Sequence, residues 1–88
     1  MAKLILENGN TKTVTPENGK TFSLEELQTL VGGYIQIINA GEHIAVLNEE
    51  GKFCCRKNNA ATDLLRRYIF NGDWIAGDVV IANPEEIE

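Results

Sequence analysis

The stretch FSLEELQTLVGGYIQII, residues 22–38, decides the fold because it encodes a helix, its end and the start of a strand. Ser23 is a preferred N-cap residue, and Glu26 stands three positions later, where its carboxylate completes a capping box. The two glycines at 32–33 can adopt the left-handed conformation that ends a helix. The sequence therefore predicts a helix over residues 24–31 and a strand directly after it.

The same helix has a clear apolar face. Phe22 precedes the cap and can pack against Leu27 as a hydrophobic staple. The helical spacing also places Leu27 on one face with Leu24, Leu30 and Val31, so we expect this face to lie on the core.

The composition indicates one small soluble domain, residues 1–88. Hydrophobic residues make up 43% of the chain and charged residues 24%, which is ordinary for a globular protein. The formal net charge is −5. A general nucleic-acid binder needs many Lys and Arg residues to neutralise phosphates, so this balance argues against that class of protein.

The sequence gives no sign of export or of membrane insertion. Its first residues hold one lysine and then an apolar run of only three, Leu4–Leu6, too short for a signal peptide. No apolar stretch approaches the roughly 20 residues of a membrane span. We expect a cytoplasmic protein without membrane binding.

Turn signals divide the rest of the chain into short elements. Asn8-Gly9 predicts a hairpin turn, and Asn58 or Asn59 can cap a second helix. The predicted elements are strands at 3–7, 11–15, 34–39, 43–47, 52–56 and 79–82, a helix at 60–70 and a frayed acidic tail at 82–88.

This order predicts an α+β fold with a mixed or mainly antiparallel sheet. We expect the two helices on one face of the sheet, in a β-grasp-like arrangement. The last strand, 79–82, is apolar throughout and is therefore expected at the centre of the sheet.

Four short motifs resemble a known family. They are Val31-Gly32-Gly33-Tyr34-Ile35, Asn48-Glu49-Glu50-Gly51-Lys52, Asn58-Asn59-Ala60-Ala61-Thr62 and Ile75-Ala76-Gly77-Asp78-Val79-Val80. Together they resemble domain of unknown function 3846, over roughly residues 22–82. Gln36 and the run 53–57 depart from the family pattern. The resemblance implies a phage or mobile-element origin, and it brings no catalytic residues with it.

The start of the second helix is a candidate anion site. Free amides at a helix N-terminus favour negative charge, and two cations precede this one. The candidate ligand-binding residues are Arg56, Lys57, Asn58, Asn59 and Thr62. The ordinary structural interpretation is that an asparagine caps the helix while the cations are solvated.

The other polar candidates have ordinary explanations. Cys54 and Cys55 are adjacent, so we expect free thiols, with no metal and no cofactor. His43 can pair with a cysteine only if the fold brings them together. Glu49 and Glu50 are expected to be exposed in a turn. The turn aspartates Asp73 and Asp78 are expected to accept backbone N–H bonds.

The aromatic residues are expected mainly in the core or at the sheet edge. Trp74 is the exception if it is exposed beside Arg66 or Arg67, because those residues would then form an interaction surface.

Three functions are compatible with these observations. The one we favour is a non-enzymatic interaction module of phage or mobile-element origin that binds a host protein. The alternatives are a small-anion or nucleotide-sequestering protein, and more distantly a small hydrolase or transferase. A homodimer formed by edge-strand pairing is a further hypothesis.

Overall fold

The computed structural model describes residues 2–87, which fold as one α+β domain. Its strands are β1 (Ala2–Ile5), β2 (Thr11–Val14), β3 (Ile35–Ala40), β4 (His43–Asn48) and β5 (Val79–Ala82). Its helices are α1 (Leu24–Val31), α2 (Gly51–Cys54) and α3 (Asn59–Leu64), with 3₁₀ turns at Arg66–Tyr68 and Pro84–Glu86.

Helix α1 has the predicted bounds and the predicted caps. The Ser23 hydroxyl accepts the Glu26 N–H at 3.2 Å, and the Glu26 carboxylate accepts the Ser23 N–H at 3.0 Å. Gly32 ends the helix in the left-handed region, with φ of 82°. Phe22, Leu27 and Val31 lie in the same buried cluster, and Leu30 packs against it, so the caps, the staple and most of the apolar face are confirmed. Leu24 is 55% exposed, so the prediction that it lies on the core face is wrong.

The five strands of residues 2–87 form one antiparallel sheet in the order β2-β1-β5-β4-β3. Strand β5 is central, as predicted, and Val79 and Val80 are fully buried. Because β5 is apolar at every position, it needs cover on both faces of the sheet.

That cover comes from different helices. Leu4, Val46 and Val80 face α1, where they pack with Leu27. Their neighbours along the strands face α3; Ile5, Ala45 and Val79 pack there with Ala61 and Leu65. The helices therefore lie on opposite faces. The prediction of a β-grasp-like arrangement with both helices on one face is wrong, because the apolar runs of β4 and β5 present apolar side chains to both sides.

The predicted strand at 52–56 is also wrong. Residues Gly51–Cys54 form the short helix α2, with Cys55 N–H bonded to the Gly51 carbonyl at 2.8 Å. Gly51 is packed so closely that an added Cβ would lie 2.7 Å from the Ala76 carbonyl oxygen. This backbone contact outweighs the weak strand preference of the sequence that follows.

The second predicted helix is shorter than expected. Helix α3 ends at Leu64, and a 3₁₀ turn follows in which the Tyr68 N–H bonds to the Leu65 carbonyl. Leu65 is buried whereas Leu64 and Tyr68 are exposed. The helical spacing of the apolar residues between Ala61 and Ile69 also predicts Leu64 and Tyr68 on the core face, and this prediction is wrong.

The chain end is held in place up to Ile87, where a frayed tail was expected. Asn83 and Glu86 form a capping box around the 3₁₀ turn. The Phe22 N–H donates to the Glu86 carbonyl at 2.7 Å, and Phe22 bridges Ile87. The end of the chain is thereby fixed to the start of α1; Glu88 lies outside the described residues. None of the helices described has the length and apolar content to cross a bilayer.

Candidate functional site

A small cleft of about 190 Å³ opens between α2, the end of β3 and the loop before β5. Gln36 and Ile38 line it from the sheet, and Lys52 and Phe53 line it from α2. Trp74 closes the cleft from the loop. The cleft therefore combines apolar walls with one cation, Lys52, and two carboxylates, Glu49 and Asp73, among the described residues.

Two exposed aromatic side chains line this cleft, and a third is exposed in the turn that precedes Trp74. Phe53 is 92% exposed, Phe70 87% and Trp74 41%. Phe53 and Trp74 line the cleft directly, whereas Phe70 begins the turn in which its carbonyl accepts the Asp73 N–H at 2.9 Å. We call Phe53 and Trp74, which share the cleft, the aromatic face.

Charged groups fix the position of Trp74. The Lys52 ammonium lies 4.5 Å from the centroid of the Trp74 ring and forms an ion pair with Asp73. The Asp73 carboxylate also accepts the backbone N–H of Trp74 at 2.8 Å. The Lys52 hydrogen bond, together with that N–H, holds the pKa of Asp73 below its ordinary value. Lys52 therefore packs against the indole of Trp74, which is 41% exposed.

The predicted anion site does not assemble as expected. Asn58 is fully buried, and its side-chain amide donates to the carbonyls of Ile5 at 3.0 Å and Gly77 at 2.8 Å. Its oxygen accepts the Ala61 N–H at 3.0 Å, which caps α3. Asn58 thus ties β1, the start of β5 and α3 together, and its polar atoms face the interior.

Thr62 is also buried, and its hydroxyl bonds to backbone groups in the interior. Its hydroxyl donates to the Asn58 carbonyl at 2.7 Å and lies 3.3 Å from the Ile75 carbonyl, and it accepts the Ile75 N–H at 2.9 Å. Asn58 and Thr62 therefore belong to one interior hydrogen-bond network that joins α3 to the loop before β5.

The other three residues of the predicted anion site, Arg56, Lys57 and Asn59, are exposed. The Arg56 N–H bonds to the Glu7 carboxylate at 3.3 Å, so a negative group already lies beside this backbone. The structure therefore divides the predicted set into two interior and three exterior residues.

The predicted surface around Trp74 is also divided. Arg66 pairs with Asp63 at 2.7 Å. Arg67 lines a separate groove with His43 and Tyr68. The cation at the Trp74 ring is instead Lys52, which sequence reasoning missed together with Phe53 because both were assigned to a strand. Gly51, which directly precedes them, is the only sequence signal for a tight backbone approach there.

The catalytic alternative requires groups that lie apart. His43 begins β4, whereas Cys54 and Cys55 follow beyond its other end; six strand residues separate the two ends by roughly 17 Å. Glu49 and Glu50 are exposed, as expected. Asp73 and Asp78 accept backbone N–H bonds as predicted, Asp78 from Glu7 at 3.0 Å. Within residues 2–87, no three His, Cys, Asp or Glu side chains converge as metal ligands.

The four motifs that resemble the family lie at one end of the sheet, where hydrogen bonds connect the elements that carry them. The Asn48 side chain donates to the Val31 carbonyl at 3.2 Å and accepts the Glu50 N–H at 2.8 Å. A Cβ at Gly33 would lie 3.0 Å from that same amide. Asn48 therefore joins the end of α1 to the end of β4, as Asn58 joins α3 to the start of β5.

The two free cysteines differ in environment. Their sulfurs are 3.1 Å apart, with Cys54 exposed and Cys55 partly buried. The hydrogen bond with Cys54 raises the pKa of the Cys55 thiol to about 11, helped by burial and by the charges of Cys54, Glu7 and Asp78. Because the thiolate is the nucleophile, Cys55 should be the less reactive thiol near neutral pH.

We therefore expect iodoacetamide at about pH 8 to modify Cys54 first, with Cys55 reacting only as the pH approaches its pKa. Peptide mass spectrometry after timed quenching measures both rates, and a Cys54→Ser variant separates the effect of the neighbouring sulfur. Faster alkylation of Cys55 than of Cys54 at this pH would contradict the assignment.

The fold and the surface together define a small α+β domain with a buried asparagine network and an exposed aromatic face. The chain belongs to the family described as domain of unknown function (DUF3846), whose model matches residues 1–88. The suspected resemblance is confirmed and extends over the whole chain. No curated protein and no solved structure is significantly similar to this chain.

Proposed function

We propose that this protein is a non-enzymatic interaction module that binds another protein through its aromatic face. The observation that carries the proposal is Phe53, which is 92% exposed beside Trp74 and the cleft. Aromatic side chains are the commonest anchors of protein interfaces, because each buries a large apolar area in few rotamers.

The position of these side chains supports a binding role over a packing role. The core is complete without them, since α1 and α3 already cover the two faces of the central strands. Phe53 and Phe70 contribute almost no buried surface to the fold. An exposed apolar patch of this kind, rimmed by charged residues, is typical of a contact site.

The charges around the cleft specify the chemistry of the partner. Glu49 and Asp73 line the cleft, and Glu50 is adjacent. Among residues 2–87 the only cation lining it, Lys52, is already paired with Asp73. The rim is therefore acidic. The complementary partner surface carries an apolar side chain that fills the cleft, flanked by Lys or Arg residues.

The family resemblance supports the choice of partner class. The resemblance implies a phage or mobile-element origin, and a protein of that origin would act inside a host cell. We propose a host protein in the cytoplasm as the partner.

The test is capture of host proteins on immobilised wild-type chain, followed by affinity measurement with the protein retained. Phe53→Ala combined with Trp74→Ala is expected to weaken binding roughly 30-fold or more, as for a central anchor pair. Leu24→Ala is the matched control, because Leu24 is also an exposed apolar residue but lies on α1, on the opposite face of the sheet.

Retention that is equal in the two variants, or no retained protein at all, would contradict the proposal. So would a retained nucleotide or inorganic anion that is lost in Arg56→Ala combined with Lys57→Ala, since that result favours the anion-binding alternative. Circular dichroism of each variant establishes that the fold is intact.

A further inference from the structure

Strand β3 forms an edge of the sheet that lacks the usual protection. Within residues 2–87 it pairs with β4 and has no strand on its other side. Its sequence, IQIINA, contains no charge and no proline. The opposite edge, β2, carries Lys12 and is followed by Pro16. Charge and proline are the devices that keep edge strands from pairing, so only β2 is protected.

The register of the hairpin identifies the free backbone groups of β3. Ala40 pairs with His43 across a two-residue loop, and the Glu49 N–H bonds to the Tyr34 carbonyl at 2.8 Å. Bonds from β3 to β4 therefore fall at the even-numbered residues of the strand, because hydrogen-bonded pairs alternate along an antiparallel ladder. The N–H and C=O groups of Ile35, Ile37 and Asn39 point away from the sheet.

We propose that a second copy of this chain pairs with this edge, antiparallel about a two-fold axis at Ile37. In this register Ile37 faces the partner's Ile37, and Ile35 faces the partner's Asn39. Every outward N–H and C=O group of the strand then has a backbone partner. Of the two-fold registers, this one uses all three outward residues of both copies.

The side chains suit this pairing. Ile37 is 46% exposed and meets its own copy across the axis, where two β-branched residues pack well. Tyr34, 71% exposed, lies opposite the partner's Ala40. In this register Gly33 faces the partner's Gly41 at each end of the paired strands, so neither position adds a Cβ there. No charged residue lies between Gly33 and Gly41, so like charges do not meet across the paired strands despite the net charge of −5.

The pairing has a consequence for the aromatic face. The two-fold axis of an edge-paired antiparallel sheet runs perpendicular to the sheet, so the same face of both copies points in one direction. Gln36 and Ile38 line the cleft from β3. The two clefts of the dimer therefore open on the same face of the joined sheet, next to each other. The dimer does not require the partner protein proposed above, so the two proposals fail independently.

Position 37 provides a sharp test because it meets itself across the axis. Light scattering of the wild type should give twice the chain mass of 9.7 kDa. Ile37→Lys and Ile37→Glu should each give one chain mass, because like charges then face each other. An equimolar mixture of the two variants should restore twice the chain mass as a heterodimer, which native mass spectrometry identifies.

Thr13→Lys and Thr13→Glu, on the exposed edge strand β2, are the matched controls and should leave the wild-type mass unchanged. A wild type of one chain mass at high concentration would overturn the proposal. So would Ile37 variants that stay dimeric, a mixture that stays monomeric, or Thr13 variants that dissociate.

Discussion

Replacing Asn58 by alanine is expected to lower the free energy of unfolding by about 3–7 kcal/mol. The substitution removes an N-cap, which costs about 1 kcal/mol. It also leaves the carbonyls of Ile5 and Gly77 without the amide that satisfies them in the interior, at about 1–3 kcal/mol each. The total free energy of unfolding of such domains is about 5–15 kcal/mol, so the substitution removes much of the stability.

Urea unfolding followed by circular dichroism measures this loss as a fall in the transition midpoint. Asn59→Ala is the matched control, because Asn59 is exposed and follows the cap. We expect it to change the free energy by less than about 0.5 kcal/mol. Equal midpoints for the two variants would mean that Asn58 does not hold the elements together.

Replacing Phe22 by alanine is expected to lower the free energy of unfolding by about 3–5 kcal/mol. Phe22 is 1% exposed and packs in the cluster of Leu27 and Val80. Alanine would leave a cavity between α1 and the sheet, beside the contact that fixes the chain end at Ile87.

Phe53→Ala removes the same side chain from a position that is almost fully exposed. It should change the midpoint little, and its thermal transition should stay near that of the wild type. If Phe53→Ala proved as destabilising as Phe22→Ala, the aromatic face would be part of the core and its proposed binding role would fail.

Local signals predicted the elements that depend on local chemistry. Helix α1 has its predicted bounds because Ser23, Glu26 and Gly32 satisfy its ends within the same stretch. The central position of β5 followed from its uninterrupted apolar sequence. The first hairpin followed from Asn8-Gly9, whose glycine adopts positive φ.

The errors arose where distant contacts decide the structure. The chain at Gly51 is helical because its backbone packs against Ala76, which lies far along the sequence. The placement of helices on both faces depends on which strands become neighbours, and hairpin order alone leaves that open. The chain end is ordered through Phe22, a residue at the start of α1.

Contacts with residues distant in sequence also decide which residues of the candidate site face solvent. The sequence marked Asn58 and Thr62 as polar residues at a helix start, which is a correct local description. Whether such residues face solvent or the interior depends on the carbonyls of Ile5, Gly77 and Ile75, and these come from other elements. Lys52 and Phe53 were missed because their exposure follows from the conformation at Gly51.

We propose that the interior asparagines maintain the fold and that the aromatic face binds the partner protein. Hydrogen–deuterium exchange of the wild-type chain, alone and bound to the protein it retains, tests it most directly. We predict slower exchange on binding at residues 51–54 and 69–76, which carry the aromatic face. Slower exchange confined to residues 56–62 would contradict the account and place the contact at the start of α3.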